Sequence, residues 1–225
     1  MTAIAQAAVP ATPPRFQAFR RFAATYARTP SAMAGLAILV AVTVLALAAP
    51  LFIHPSDLNV VHATGRSLAP PSSGFPLGTD QAGRSVLTLL IWGTRPSLAI
   101  GVIATIATMV LGSAIGLLAG HYGGVSGRIL MAITDWFIAL PSLPLAISLA
   151  AVLGQGDTSI TIAIAVTSWP GTARLIRAQT LAVEARPFIE RARALGAGHS
   201  QIMVRQVLPN VAPLILVSTT LTVAG

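Results

Sequence analysis

"ERARALGAGHSQIMVRQVLPN", residues 190–210, interrupts a chain that is otherwise strongly apolar, and it runs directly into "VAPLILVSTTLTVAG", residues 211–225. The segment holds three arginines, one glutamate and a glycine turn. Just upstream, Pro187 can occupy a first helical turn, where its missing N–H costs nothing. "FIERARAL", residues 188–195, is then a good helix former, with Glu190 close to the positive end of the helix dipole. Gly196 is the expected left-handed stop, and Ser200 can cap the helix that follows. The spacing predicts a helix of about two to three turns. Ala192 and Ala194 keep its profile slim, while Arg191 and Arg193 point to water or an acidic partner. The residues alone leave two placements open: a helix that projects from the surrounding apolar structure, or one that lies flat in lipid headgroups.

Composition sets what surrounds this segment. Hydrophobic residues make up 54% of the 225 and charged residues only 9%, with a mean hydropathy of +0.78. A soluble domain carries about 25% charged residues to keep its surface wet. The chain therefore reads as an integral membrane protein in contact with lipid. There is no cysteine, which excludes disulfides and cysteine-bearing metal or redox sites. The net charge is +8, and every basic residue is arginine. In a membrane chain such basicity marks the cytoplasmic side, and nucleic acid is not an expected partner.

Outward from the opening segment, apolar runs give five expected spans. Residues 1–31 form a basic tail in which "FQAFRRFAATYA", residues 16–27, can lie on a membrane surface as an amphipathic helix. Residues 32–53 carry no charge and are long enough to cross a hydrocarbon core of ~30 Å. Ala46-Leu47-Ala48 imitates a signal-peptidase site, but a signal h-region is only about 7–15 residues long, so the segment reads as a retained span. Residues 54–96 form a polar connection. The second span is residues 98–120, in which Gly112, Gly116 and Gly120 make a smooth stripe for a neighbouring helix. The third runs from about Ile129 to Leu153, with kinks expected at Pro141 and Pro144. It contains an intramembrane acid, Asp135. Such a carboxylate is a functional-site hypothesis by default, but pairing with Arg128 or a basic loop is the favoured reading. The fourth span, about Ile160 to Ile176, is expected to break at Trp169-Pro170-Gly171. Residues 178–206 are the polar interruption, and 207–225 begin the fifth span.

Arginine counts orient the chain. With the amino terminus inside, the cytoplasmic segments hold Arg15, Arg20, Arg21, Arg28, Arg128, Arg174, Arg177, Arg186, Arg191, Arg193 and Arg205. The external connection holds Arg66, Arg84 and Arg95. This positive-inside bias puts residues 178–206 in the cytoplasm and 54–96 outside.

The opening segment resembles the EAA loop of importer-type ABC transporter permeases, whose pattern is E-A-A, three residues, G, nine residues, then I-x-L-P. Glu190, Ala192, Gly196, Leu208 and Pro209 match, whereas Arg191 and Gln206 depart from it. "PLGTDQAGRSVLTLLIWGTRPSL", residues 76–98, and "GHYGGVSGRILMAITDWFIALPSLPLAISLAAVLG", residues 120–154, are similar to further signatures of the dipeptide, oligopeptide and nickel permease family, the first with Gly78, Thr79, Asp80, Gly83 and Arg84. The resemblance implies an all-α polytopic bundle of the importer-type ABC permease fold, located in the bacterial inner membrane. It implies a permease core over residues 97–225, in which Phe188, Glu190, Ala192, Leu195, Gly196, Leu208 and Pro209 belong to an ATPase-coupling loop. It also implies the partners: a second homologous permease subunit, two cytoplasmic ABC ATPase subunits and an external substrate-binding protein. Peptides are the first expected cargo, with nickel or another small solute behind them. The family has six spans, so the chain reads as truncated before the last.

Other chemistries find little support. A P-loop needs a lysine on the phosphates, and the chain has none, so ATP hydrolysis would come from partner subunits and the chain itself is not expected to be an enzyme. His54, His62, His121 and His199 show no H-E-x-x-H spacing, and no G-x-S-x-G elbow is present. No cofactor or metal is expected. The remaining alternative is a secondary transporter or channel without an ATPase, for which only Asp135 offers a polar intramembrane group.

Overall fold

A computed structural model describes residues 28–224, so most of the 1–31 tail and its expected surface helix lie outside the described residues. Among the described residues the regular structure is helical, and the one β feature is an isolated bridge between Thr79 and Ser85. Two compact units divide between Arg95 and Pro96.

The first helix, α1 (Pro30–Phe52), has a proline in its first turn and 23 residues, ~34 Å at 1.5 Å per residue. Only Ala46 and Ala49 are buried along it, and its exposed leucines and valines suit a lipid environment. Short 3-10 turns follow at Pro55–Leu58 and Val60–His62.

Helix α2 (Val86–His121) is 36 residues long. It starts twelve residues before the expected second span, because "VLTLLIWGTRPS" is largely apolar and continues the helix through Pro96. A proline inside a membrane helix is tolerated where neighbouring groups re-satisfy the freed backbone. After Gly123, α3 (Gly124–Ala139) and α4 (Ser142–Leu153) meet at 90°. The expected kink at Pro141 is thus a full break. The residue before a proline is driven out of the helical region, and Leu140 is extended, with ψ of 134°. Pro144 falls in the first turn of α4, where a missing N–H is harmless.

Helix α5 (Asp157–Glu184) runs 28 residues without a break through Trp169-Pro170-Gly171, which corrects the expected interruption. An interior proline costs ~3 kcal/mol, and here packing outweighs it. Trp169 and Pro170 are buried, and the Trp169 ring meets Phe137 of α3 edge-on at 5.3 Å. The glycine stripe of α2 lies against the same helix. A Cβ at Gly112 would come 2.7 Å from that of Thr172, one at Gly116 2.5 Å from the Ala173 carbonyl oxygen, and one at Gly120 2.6 Å from the Thr180 Cβ. Only glycine permits that approach.

Beyond α5 come α6 (Pro187–Ala194) and α7 (His199–Ile202), then a π-helical stretch (Met203–Val207) that leads into α8 (Leu208–Ala224). The expected fifth span therefore joins a helical run that starts at His199. Among the described residues, three helical segments are long and apolar enough to cross a membrane (α1, α2 and His199–Thr220), and the bent α3–α4 pair would make a fourth. Of the five expected spans, only α5 falls short in apolarity. Its polar positions Ser159, Thr172 and Thr180 are turned into helix contacts and buried. The second unit has its core at this end of the chain, where Ile176, Val183, Ile189, Ala192, Ile202, Val207 and Val211 form one cluster.

Candidate functional site

The chain around α6 is built as its residues dictate. Pro187 opens the helix after an extended Arg186, and Glu190 lies in the first turn. At the other end, Gly196 has φ of +83°, the Gly196 N–H donates to the Arg193 carbonyl at 2.9 Å, and the Ala197 N–H donates to the Ala192 carbonyl at 3.0 Å. These two bonds are the pair that defines a Schellman stop. The following helix is not capped by Ser200, as expected from its residue type. Gly198 holds the N-cap position without a side-chain bond, and Ser200 lies inside α7. The extended Gly198 admits the helix two residues earlier than a Ser200 cap would.

α6 is eight residues long, ~12 Å, and two-faced. Ile189 and Ala192, three positions apart, are buried, and Phe188 packs partly against the same cluster. Glu190 and Arg191 are exposed, and Leu195 at the tip is 88% exposed. Arg193, expected to point to water or an acidic partner, is part-exposed and pairs with Glu184 at the end of α5. Leu208 and Pro209 are exposed and stand outside the core, whereas their neighbour Val207 is fully buried.

The π-helical stretch explains why. Pro209 has no N–H to offer the carbonyl of Arg205 and its ring crowds that group. One turn upstream the helix widens, with the Leu208 N–H donating to the Met203 carbonyl. The widened turn takes about five residues instead of four, so Ile202 and Val207 share a face with Val211 despite a spacing that α-periodicity does not align.

Elsewhere, the signature residues of the connection form a folded clasp. Thr79 is buried; its hydroxyl donates to the Arg66 carbonyl at 2.5 Å and accepts from the Ala69 N–H at 2.8 Å. Gly78 and Gly83 have φ of +74° and +80°, and a Cβ on Gly78 would come 2.5 Å from the Ala69 carbonyl oxygen. Asp80 accepts from the N–H groups of Ala82 and Arg84, each at 2.9 Å, and from the Arg84 guanidinium at 2.7 Å. Arg84 also donates to the Leu58 carbonyl at 3.2 Å. Those contacts fold the connection into a clasp.

Asp135 pairs with Arg174 of α5 at 2.6 Å, and both side chains are 58% exposed. Arg128, one expected partner, instead donates to the Gly124 carbonyl. Among the described residues no cluster of ligating side chains could hold a metal ion. The residues that sequence reasoning missed are Glu184, His121 and His199. His121 ends α2 with its Nδ1 2.5 Å from Glu184 Oε1, and His199 Nδ1 lies 3.1 Å from His121 Nε2. They are far apart in sequence, so no local spacing could have grouped them.

Comparison with known proteins adds independent findings. Residues 112–225 match the family described as binding-protein-dependent transport system inner membrane component. Residues 17–71 match the N-terminal TM domain of oligopeptide transport permease C. The chain is 38% identical over 158 residues to the glutathione transport system permease protein GsiD of Pectobacterium atrosepticum, covering 70% of this chain and 52% of that protein. It is 32% identical over 195 residues to the oligopeptide transport system permease protein OppC of Lactococcus lactis, covering 86% and 66%. It is 37% identical over 207 residues to the di/tripeptide transport system permease protein DppC of Pseudomonas aeruginosa, covering 89% and 68%. The chain thus spans about half to two thirds of the length of these relatives.

Proposed function

The chain belongs to the family of binding-protein-dependent transport system inner membrane components, and from that membership we propose that it acts as the membrane-spanning permease subunit of an ATP-driven importer. A second permease subunit faces it around a central path, two ABC ATPase subunits dock on the cytoplasmic side, and an external binding protein delivers the cargo. Peptides are the favoured cargo, in keeping with the names of the relatives, and nickel or another small solute comes second. The arginine count favours a cytoplasmic amino terminus and a cytoplasmic α6.

The observation that carries this reading is α6 itself. It is a stub held by an apolar root (Ile189, Ala192) with a bare tip (Leu195), closed by a Schellman stop at the motif glycine. A helix with an exposed leucine and a rigid root suits a cleft in a soluble partner better than solvent. Phe188 and Ala192 root the coupling loop, Glu190 and Leu195 face the ATPase, and Gly196 sets the direction in which the chain leaves. Leu208 and Pro209 act through the π-helical turn that they follow. These 225 residues hold no lysine for a P-loop, which supports a motor supplied by partner subunits.

The test is reconstitution of the full-length subunit with its partners, comparing wild type with Gly196→Val. Left-handed geometry costs a β-branched residue roughly 1–2 kcal/mol, so the loop leaves in another direction. The expected outcome is a complex that assembles but loses stimulation of ATP hydrolysis by the loaded binding protein. Normal stimulation and uptake in Gly196→Val would refute the coupling assignment.

A further inference from the structure

Glu184 is the last residue of α5; α2 and α6 contact it directly, and α7 is linked to it through His121. Its side chain is only 10% exposed, and that of His121, at the end of α2, is wholly buried. His121 Nδ1 approaches one carboxylate oxygen at 2.5 Å, and Arg193 of α6 pairs with the other. A carboxylate only accepts hydrogen bonds, so Nδ1 of His121 carries the proton in either charge state. In the neutral ring Nε2 is left to accept from His199 Nδ1–H, 3.1 Å away at the start of α7. The apolar cluster of Ile176, Val183, Ile189 and Ala192 lies alongside, and hydrogen bonds in such low-dielectric surroundings are stronger than at an open surface.

Apolar contact is non-directional. Without Glu184, α6 would rest on that contact and on the short turns at Ala185–Arg186 and Leu195–Gly198, and it could slide or pivot. The ionic and hydrogen-bonded contacts fix its angle to the ends of α2 and α5. The geometry points to Glu184 as a positioning residue that locks α6 to α2 and α5 through Arg193 and His121, so that displacement of α6 is delivered to those helices and not absorbed in the flanking turns. This inference rests on the reading of α6 as the element gripped by the ATPase.

The experiment uses the full-length subunit assembled with its partner permease, ATPases and binding protein in proteoliposomes. It reads the ratio of ATP hydrolysis with and without binding protein loaded with trialanine as the probe peptide. Glu184→Gln keeps the shape but loses the charge that holds Arg193, and the ratio falls by at least about fivefold, the low end of typical coupling between sites. His121→Asn keeps an N–H donor near the Nδ1 position and stays within about twofold of wild type, whereas His121→Gln puts its donor near the Nε2 position and falls like Glu184→Gln. A purely space-filling role would give the opposite order, because glutamine is nearer to histidine in size. Crosslinking of Leu195→Cys to the ATPase persists in every variant, because docking itself is intact. A ratio for Glu184→Gln near wild type, or equal behaviour of the two His121 variants, overturns the lock. If Gly196→Val uncouples and Glu184→Gln does not, only the lock fails; if neither uncouples, the coupling reading of α6 fails first. Should Glu184→Gln not assemble, the contrast between the His121 variants decides.

Discussion

Asp80 illustrates how single residues hold the connection after α1. The N–H of Arg84 is the largest influence on its carboxyl, followed among the stabilising contacts by the Arg84 side chain and the Ala82 N–H. Together they hold its pKa below the usual carboxylate value against a smaller opposing effect of burial. A group whose folded pKa is depressed contributes stability above its unfolded pKa and loses it as pH falls through the folded one. Asp80→Asn is therefore expected to lower the melting temperature of the purified protein at neutral pH. The gap to wild type should close as the pH drops below ~4, the ordinary carboxylate value. Thermal unfolding followed by tryptophan fluorescence across that range checks both statements, and a gap independent of pH would contradict them. At this scale much was legible. Pro187 and Gly196 sit where their backbone chemistry puts them, because their constraints are local. Ser200 misled, because a serine's capping preference is weak beside an extended glycine two residues upstream; that Arg193 finds its acidic partner nine residues back on the same chain was hidden, because only the fold brings Glu184 to it.

Between elements, the contact of α2 with α5 rests on three glycines. Gly116→Leu forces a side chain into the space of the Ala173 carbonyl and the Ile176 side chain. Overpacking costs typically 1–3 kcal/mol, and here the obstacle includes backbone, so a cost of at least about 3 kcal/mol is expected. The predicted result is loss of monodisperse protein after detergent extraction, while Gly101→Ala on the same helix, with open space around it, extracts like wild type. The stripe was readable because it repeats every four residues, the period of the helix face. The break at Pro141 and the continuity at Pro170 were not told apart by sequence. Both prolines carry the same local penalty, and what differs is the burial of Trp169 and its neighbours. The face shared by Ile202, Val207 and Val211 was equally hidden, since a π-helical turn changes the period on which pattern reading depends.

For the whole chain, helical class and family were legible from composition and from motifs in the right order. The Glu184 cluster was not, because it joins the ends of four helices whose meeting only the fold determines. The proposed topology has a direct check. A cysteine at Ser72, exposed in the connection, should react with a membrane-impermeant thiol reagent in intact cells or spheroplasts. One at Ser200, also exposed, should react only after permeabilisation. The reverse pattern would invert the orientation.

The pair formed by Asp135 and Arg174 has a further consequence. Asp135 lies eleven residues into α3, ~17 Å along its axis, and both partners are open on the surface of the single chain. An arginine or aspartate left unpaired at the lipid core costs on the order of 2.5–3.5 kcal/mol, and such charges are tolerated where they pair or face protein or water. Because each charge neutralises the other on the chain itself, the two positions are tied: loss of either one alone leaves its partner uncompensated, a heavier burden on the chain than loss of both.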